Sequence, residues 1–148
     1  MKKIIIIIFL VLAGNSLYSQ DTKNSIIFNE NSIIFGMSES EFTNSYPGFI
    51  KSDNIYEYSD INHSINSNIR YEVKFTNDNL SEFAVYMHWP TDAQLTIIDN
   101  IKKQLKVTKI ENDEDFNTTY FAKDNLKGYV LLGENATLDI WDSRFVKK

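Results

Sequence analysis

The chain has 148 residues, of which 43% are apolar and 24% charged, with a net charge of −5 and no cysteine. The missing thiol excludes a disulfide framework, a lipidated N-terminal cysteine, a thiol nucleophile and every cysteine-based zinc site. Acidic residues outnumber basic ones, and Arg70 and Arg144 are the sole guanidinium groups. A phosphate-binding surface needs clustered Lys and Arg, so nucleic acid is not an expected partner.

The opening reads as a cleavable secretory signal over residues 1–19. Lys2 and Lys3 form the positive region, Ile4 to Ala13 the apolar run, and Gly14 to Ser19 the polar end. Ten apolar residues make a helix of only about 15 Å, half the hydrocarbon thickness, so no lasting membrane anchor is expected. An exported product, periplasmic or secreted, follows. Residues 20–148 are then one α+β domain, with 13 basic residues against 20 acidic, a balance of −7. Such a surface favours a basic protein partner, or simply solubility.

Asn24-Ser25-Ile26-Ile27-Phe28 recurs as Asn31-Ser32-Ile33-Ile34-Phe35. The offset suits either two short strands turning at Asn29-Glu30 or one strand after a loose leader. Ser38 and Glu41 form a capping-box pair that starts a short helix bearing Phe42 and Tyr46, and Pro47-Gly48 stops it. Ile55 to Tyr58 is a candidate first strand of a sheet. Ile69, Tyr71, Val73 and Phe75 alternate with polar residues, as do Phe83, Val85, Met87 and Trp89. With Asn77-Asp78-Asn79 between them, these strands predict a hairpin with one buried face.

Pro90 closes that strand, and Thr91 with Gln94 opens a second helix whose apolar stripe is Leu95, Ile98, Ile101 and Leu105. Short strands are expected at 107–110, 118–123, 128–132 and 137–141, and a frayed tail from Arg144 to Lys148. The predicted architecture is an antiparallel meander with two helices packed on one face. Because a capped helix precedes strands twice, the domain divides into candidate halves at 33–89 and 90–142.

Residues able to carry chemistry are few. His63 and His88 are the whole histidine supply, and neither has a second histidine at metal-ligand spacing, so no metal site is expected. Asp113, Asp115, Asn117 and Asp124 partly match a calcium loop. Thr118 stands where the turn requires Gly, however, and Asp124 where a bidentate Glu is expected. No glycine-flanked serine elbow or glycine-rich phosphate loop is present, so neither catalytic residues nor cofactors are assigned. The aromatic excess points instead to recognition. Tyr86 and His88, with neighbouring Trp89 and with Tyr56 and Tyr58 on an expected edge strand, form the candidate binding set.

Residues Ile33-Ile34-Phe35-Gly36-Met37-Ser38 through Glu41-Phe42, followed by Phe75-Thr76-Asn77-Asp78-Asn79-Leu80, resemble envelope modules of the BamE and beta-lactamase-inhibitor-protein type. The resemblance implies helices against an antiparallel sheet, and protein binding through that sheet. The chain departs from the pattern in having no cysteine to lipidate, in Tyr46-Pro47-Gly48 after the first helix, and in Asn79 at a usual glycine position. The function expected is an exported, non-enzymatic protein-binding module, such as an inhibitor or immunity protein. A small hydrolase using Asp or Glu and a small-ligand carrier are the alternatives.

Overall fold

The computed structural model describes residues 24–28, 31–59, 68–112 and 116–148. The expected signal segment, the turn at 29–30, His63 and the loop residues Asp113 and Asp115 lie outside them.

The first described elements are a two-stranded hairpin, β1 (Ser25–Phe28) and β2 (Asn31–Ile34), paired from Ser25↔Ile34 to Phe28↔Asn31. The sequence echo is thus two strands. Gly36, at φ +93°, turns the chain out of β2, and its N–H donates to Leu80 O. Helix α1 (Glu39–Ser45) then starts at Ser38 with the expected capping box. Asp78 Oδ1 takes the Glu39 N–H at 3.0 Å, so the turn of a later hairpin satisfies another free helix-start amide.

β3 (Ile50–Ser52), β4 (Ile55–Ser59), β5 (Ile69–Thr76) and β6 (Asn79–His88) follow, then α2 (Asp92–Lys102), capped by Thr91 and Gln94. β7 (Lys106–Asn112), β8 (Asn117–Lys123), β9 (Leu126–Leu132) and β10 (Asn135–Asp142) complete the chain. β3 to β10 form one antiparallel sheet in the order β3-β4-β5-β6-β10-β9-β8-β7. The fold is therefore α+β. β4 is not the edge strand the sequence suggested, because β3 pairs outside it.

The β5–β6 hairpin turns through Asn77 and Asp78, both at positive φ (50° and 61°), as a two-residue hairpin loop of right-handed twist requires. A register shift near Lys74 and Phe75 leaves Ser81 without a strand partner. Ser81 Oγ donates to Lys74 O and accepts from Thr76 Oγ1. That insertion lets Leu80 and Phe83, three apart, both face the core.

One sheet face is apolar: Val73, Phe83, Val85, Leu138, Ile140 and Val130 are fully buried. The β1–β2 hairpin packs against it, and Phe42 of α1 belongs to the same buried cluster. Phe28 meets the rings of Tyr71 (4.8 Å) and Phe83 (5.3 Å), and Phe42 those of Tyr56 (5.8 Å) and Phe75 (5.6 Å). Ile98 and Ile101 of α2 join the same core cluster. Gln104 accepts from Ile27 N–H and donates to Ile27 O, completing the edge of β1 with a side-chain amide.

The tail is ordered, against the expected fraying. Asp142 is fully buried, and Arg144 binds its carboxylate through Nε and Nη2, the latter at 2.6 Å. Phe145 and Val146 N–H both donate to Asp142 O. A buried carboxylate is retained only with such charged and hydrogen-bonded partners, and here the partners bend the chain back.

Gly128 of β9 sits where there is no room for a side chain. A Cβ there would stand 2.4 Å from both Asp139 O and the Phe121 ring, and the backbone oxygen cannot yield. Gly128→Ala should therefore destabilise the protein by about 1–3 kcal/mol, read as a lower urea midpoint with unchanged slope.

Candidate functional site

Side chains alternate across a strand, so the face opposite the core is fixed by the same register. Three rows cross it. The first holds Glu57, Glu72, Ala84, Asp139, Tyr129 and Tyr120; the second Arg70, Tyr86, Thr137, Leu131 and Thr118; the third Lys74, Glu82, Trp141, Lys127 and Ala122. No helix or hairpin contact falls on these residues among those described above. This face is mixed in charge and rich in aromatics.

Tyr120, Tyr129 and Trp141 form a diagonal over β8, β9 and β10, with ring centroids 6.4 and 6.5 Å apart. Each end carries a cation: Lys109 Nζ stands over Tyr120 at 5.8 Å, and Lys148 Nζ over Trp141 at 4.9 Å. Tyr86 lies on β6 under the Arg70 guanidinium, 5.0 Å from ring centroid to Cζ. Arg70 also bonds Glu72, which is 7% exposed.

The upper end of the face is a corner built by amides. Asn68 Nδ2 donates to His88 O, and Gln94 Nε2 donates to Asn68 Oδ1 at 2.7 Å. Gln94 Oε1 accepts from Thr91 N–H, so the second residue of the capping box also braces the strand end. Braced in this way, Trp89 sits at φ +45°, a left-handed conformation uncommon for so large a residue. The residue is 67% exposed, and its ring lies 4.3 Å from that of His88, whose Nδ1 is 2.7 Å from Asn135 Oδ1. An open depression of about 670 Å³ lies between this corner and the Arg70–Tyr86 pair, lined also by Asn135 and Thr137. Among the described residues, those that line it include no carboxylate.

The structure brings together Tyr86, His88 and Trp89 and separates them from Tyr56 and Tyr58. Tyr56 pairs with Val73 and Tyr58 with Tyr71, both on the core face. Tyr56 is 6% exposed, and Tyr58 packs half-buried against the core. Alternation along Ile55-Tyr56-Glu57-Tyr58 has to place both tyrosines on one face, and the apolar layer claims them. Tyr56 instead donates to Glu39 Oε1 at 2.5 Å, which Lys51 also contacts. These hydrogen bonds, that to Lys51 first, lower the Glu39 pKa. Trp89 is likewise not the inward residue that alternation from Phe83 implies, because β6 ends at His88.

Tyr129, Trp141 and Tyr120 stand outside the candidate binding set of Tyr86, His88, Trp89, Tyr56 and Tyr58. Their signal was present: Leu126, Val130, Leu138 and Ile140 fix the inward parity of β9 and β10, which sends Tyr129 and Trp141 outward. Among the described residues, no three His, Cys, Asp or Glu side chains are grouped to hold a metal ion. Nor is any helix there long and apolar enough to cross a membrane.

No protein-family model matches this chain, and neither does any curated protein or any solved structure.

The Tyr86 phenol is held above its ordinary value of 10.0, first by partial burial and then by the negative charges of Glu72 and Asp139. Folding thus favours the neutral phenol; that stability is intact below pH 10.0 and is lost as the pH rises through the elevated value. Tyr86→Phe should remove one late step from the phenolate absorbance titration and move alkaline unfolding to higher pH.

Proposed function

We propose that this chain is an exported, non-enzymatic protein-binding module, acting in the periplasm or the medium through the open face of its sheet. One observation carries this reading: the sheet is covered on one face and presents Tyr86, Trp141, Tyr129 and Tyr120 in register on the other. Aromatic rings on rigid strands give a partner large contact area at low entropy cost. Interleaved charges supply orientation and reject wrong partners.

In this reading both helices lie on the covered face. The chain then divides into two units, α1 with β3–β6 and α2 with β7–β10, fused where β6 meets β10. That division suits the resemblance to BamE-type and beta-lactamase-inhibitor-protein-type modules, which bind proteins through their sheets. The acid excess of the exported portion favours a basic partner. A specific version is an inhibitor or immunity protein that neutralises a basic toxin or hydrolase in the envelope.

Affinity capture from envelope and culture-medium fractions, with Tyr86→Ala and Trp89→Ala as companion baits, tests the proposal. One stoichiometric protein partner is expected with the parent bait. Each variant should weaken its capture at least tenfold, the scale of an interface anchor, with an unchanged circular dichroism spectrum. Full retention of the partner by both variants would remove the open face as the binding surface.

A further inference from the structure

The chain fills part of its own open face. After β10 the backbone is turned by the Asp142–Arg144 clasp and runs around the lower edge of the sheet, where the Phe145 ring lies close to Gly36. The chain then reaches the open face at Lys148. There the ammonium sits 2.6 Å from Glu82 Oε2, 2.7 Å from Asp139 Oδ2 and 4.9 Å from the centroid of Trp141. The two carboxylates are well shielded, at 16% and 13% side-chain exposure, on neighbouring strands and different rows.

This is a three-sided cradle: one carboxylate from β6, one from β10, and an aromatic face beside them. Two carboxylates on separate strands suit a compact ammonium with rotatable donors better than a planar guanidinium, which prefers both oxygens of one acid. Partial burial pulls the Lys148 pKa down, but hydrogen bonds to Asp139 and Glu82 outweigh it, so the net shift is upward. The seated group is therefore a full cation at neutral pH.

Resting on the protein-binding reading above, we propose that Glu82, Asp139 and Trp141 form a lysine-recognition subsite. In the free protein the chain's own Lys148 occupies it as a displaceable clasp, and a lysine of the partner replaces that residue on binding. The exchange conserves one ammonium, two charge-assisted hydrogen bonds and one cation–π contact, so its cost is that of releasing the Lys148 side chain. The acid excess draws a basic surface towards the face, and the subsite fixes where one of its lysines lands. A clasp closed about nine-tenths of the time would weaken an incoming lysine about tenfold.

The test uses Trp89→Phe as background, which leaves Trp141 as the single indole of the chain. A blocked tetralysine peptide is titrated while Trp141 emission is followed, with blocked tetraglutamate as the control. Adding Lys148→Ala should tighten the tetralysine titration about tenfold. Adding Glu82→Gln and Asp139→Asn to that protein should abolish the response, and tetraglutamate should give none with either protein. Equal tetralysine affinity with and without Lys148 would overturn the proposal, as would binding that survives loss of both carboxylates. Lys148→Ala trims a half-buried side chain outside the core cluster, so that comparison stands even if the carboxamide variant unfolds. Because the probe is not the protein partner, a failed titration removes the lysine subsite and leaves the aromatic face standing. A failed partner capture with a positive titration does the reverse.

Discussion

The pairing of β6 with β10 is the constraint on which the rest of the molecule depends. Seven residue pairs, from Asn135↔His88 to Trp141↔Glu82, join the last strand of one meander to the last strand of the other. On one side the pairing sets Met87, Val85 and Phe83 beside Ala136, Leu138 and Ile140, all buried. On the other it sets Glu82, Ala84 and Tyr86 beside Trp141, Asp139 and Thr137. A slip of one residue would exchange these faces, exposing the core and burying the charges, so the apolar set enforces the register of the polar one. The candidate site is thus held in place by packing on the face it does not share.

The covered face is closed by elements that satisfy each other's backbone. The turn at Asn77–Asp78 supplies an acceptor to the start of α1, and Gln104 completes the edge of β1. Asn24 accepts from the turn before β9 through its side chain and from Phe35 through its backbone. Among the described residues, no buried side-chain polar atom lacks a partner. Polar groups therefore tie the layer down at its margins while rings fill its centre. At the open corner the same chemistry serves a different end: Asn68, held by Gln94, bonds the backbone carbonyl of His88 beside the exposed Trp89.

Much of this was legible because it is local. The capping pairs Ser38–Glu41 and Thr91–Gln94, the alternation along β5 and β6, and the Asn77–Asp78 turn each depend on neighbours a few residues away. Tyr56 and Tyr58 were misplaced because alternation defines two faces without saying which is inside; the Phe28, Phe42 and Phe75 rings make that choice from distant positions. Trp89 escapes the alternation because strand parity ends where the strand does, at His88, just before Pro90. The tail looked frayed because the residue that holds it, Asp142, is identified by complete burial.

The sequence by itself determined the two capped helices, the β5–β6 hairpin with its turn, and the acid excess without cysteine, since each follows from composition or from contacts within one turn or hairpin. Only the tertiary structure decided the order in which the strands meet, which aromatics face solvent, and that Lys148 lies on the open face between Glu82, Asp139 and Trp141. Those outcomes rest on contacts between residues tens of positions apart, and such contacts leave no periodic trace in the chain.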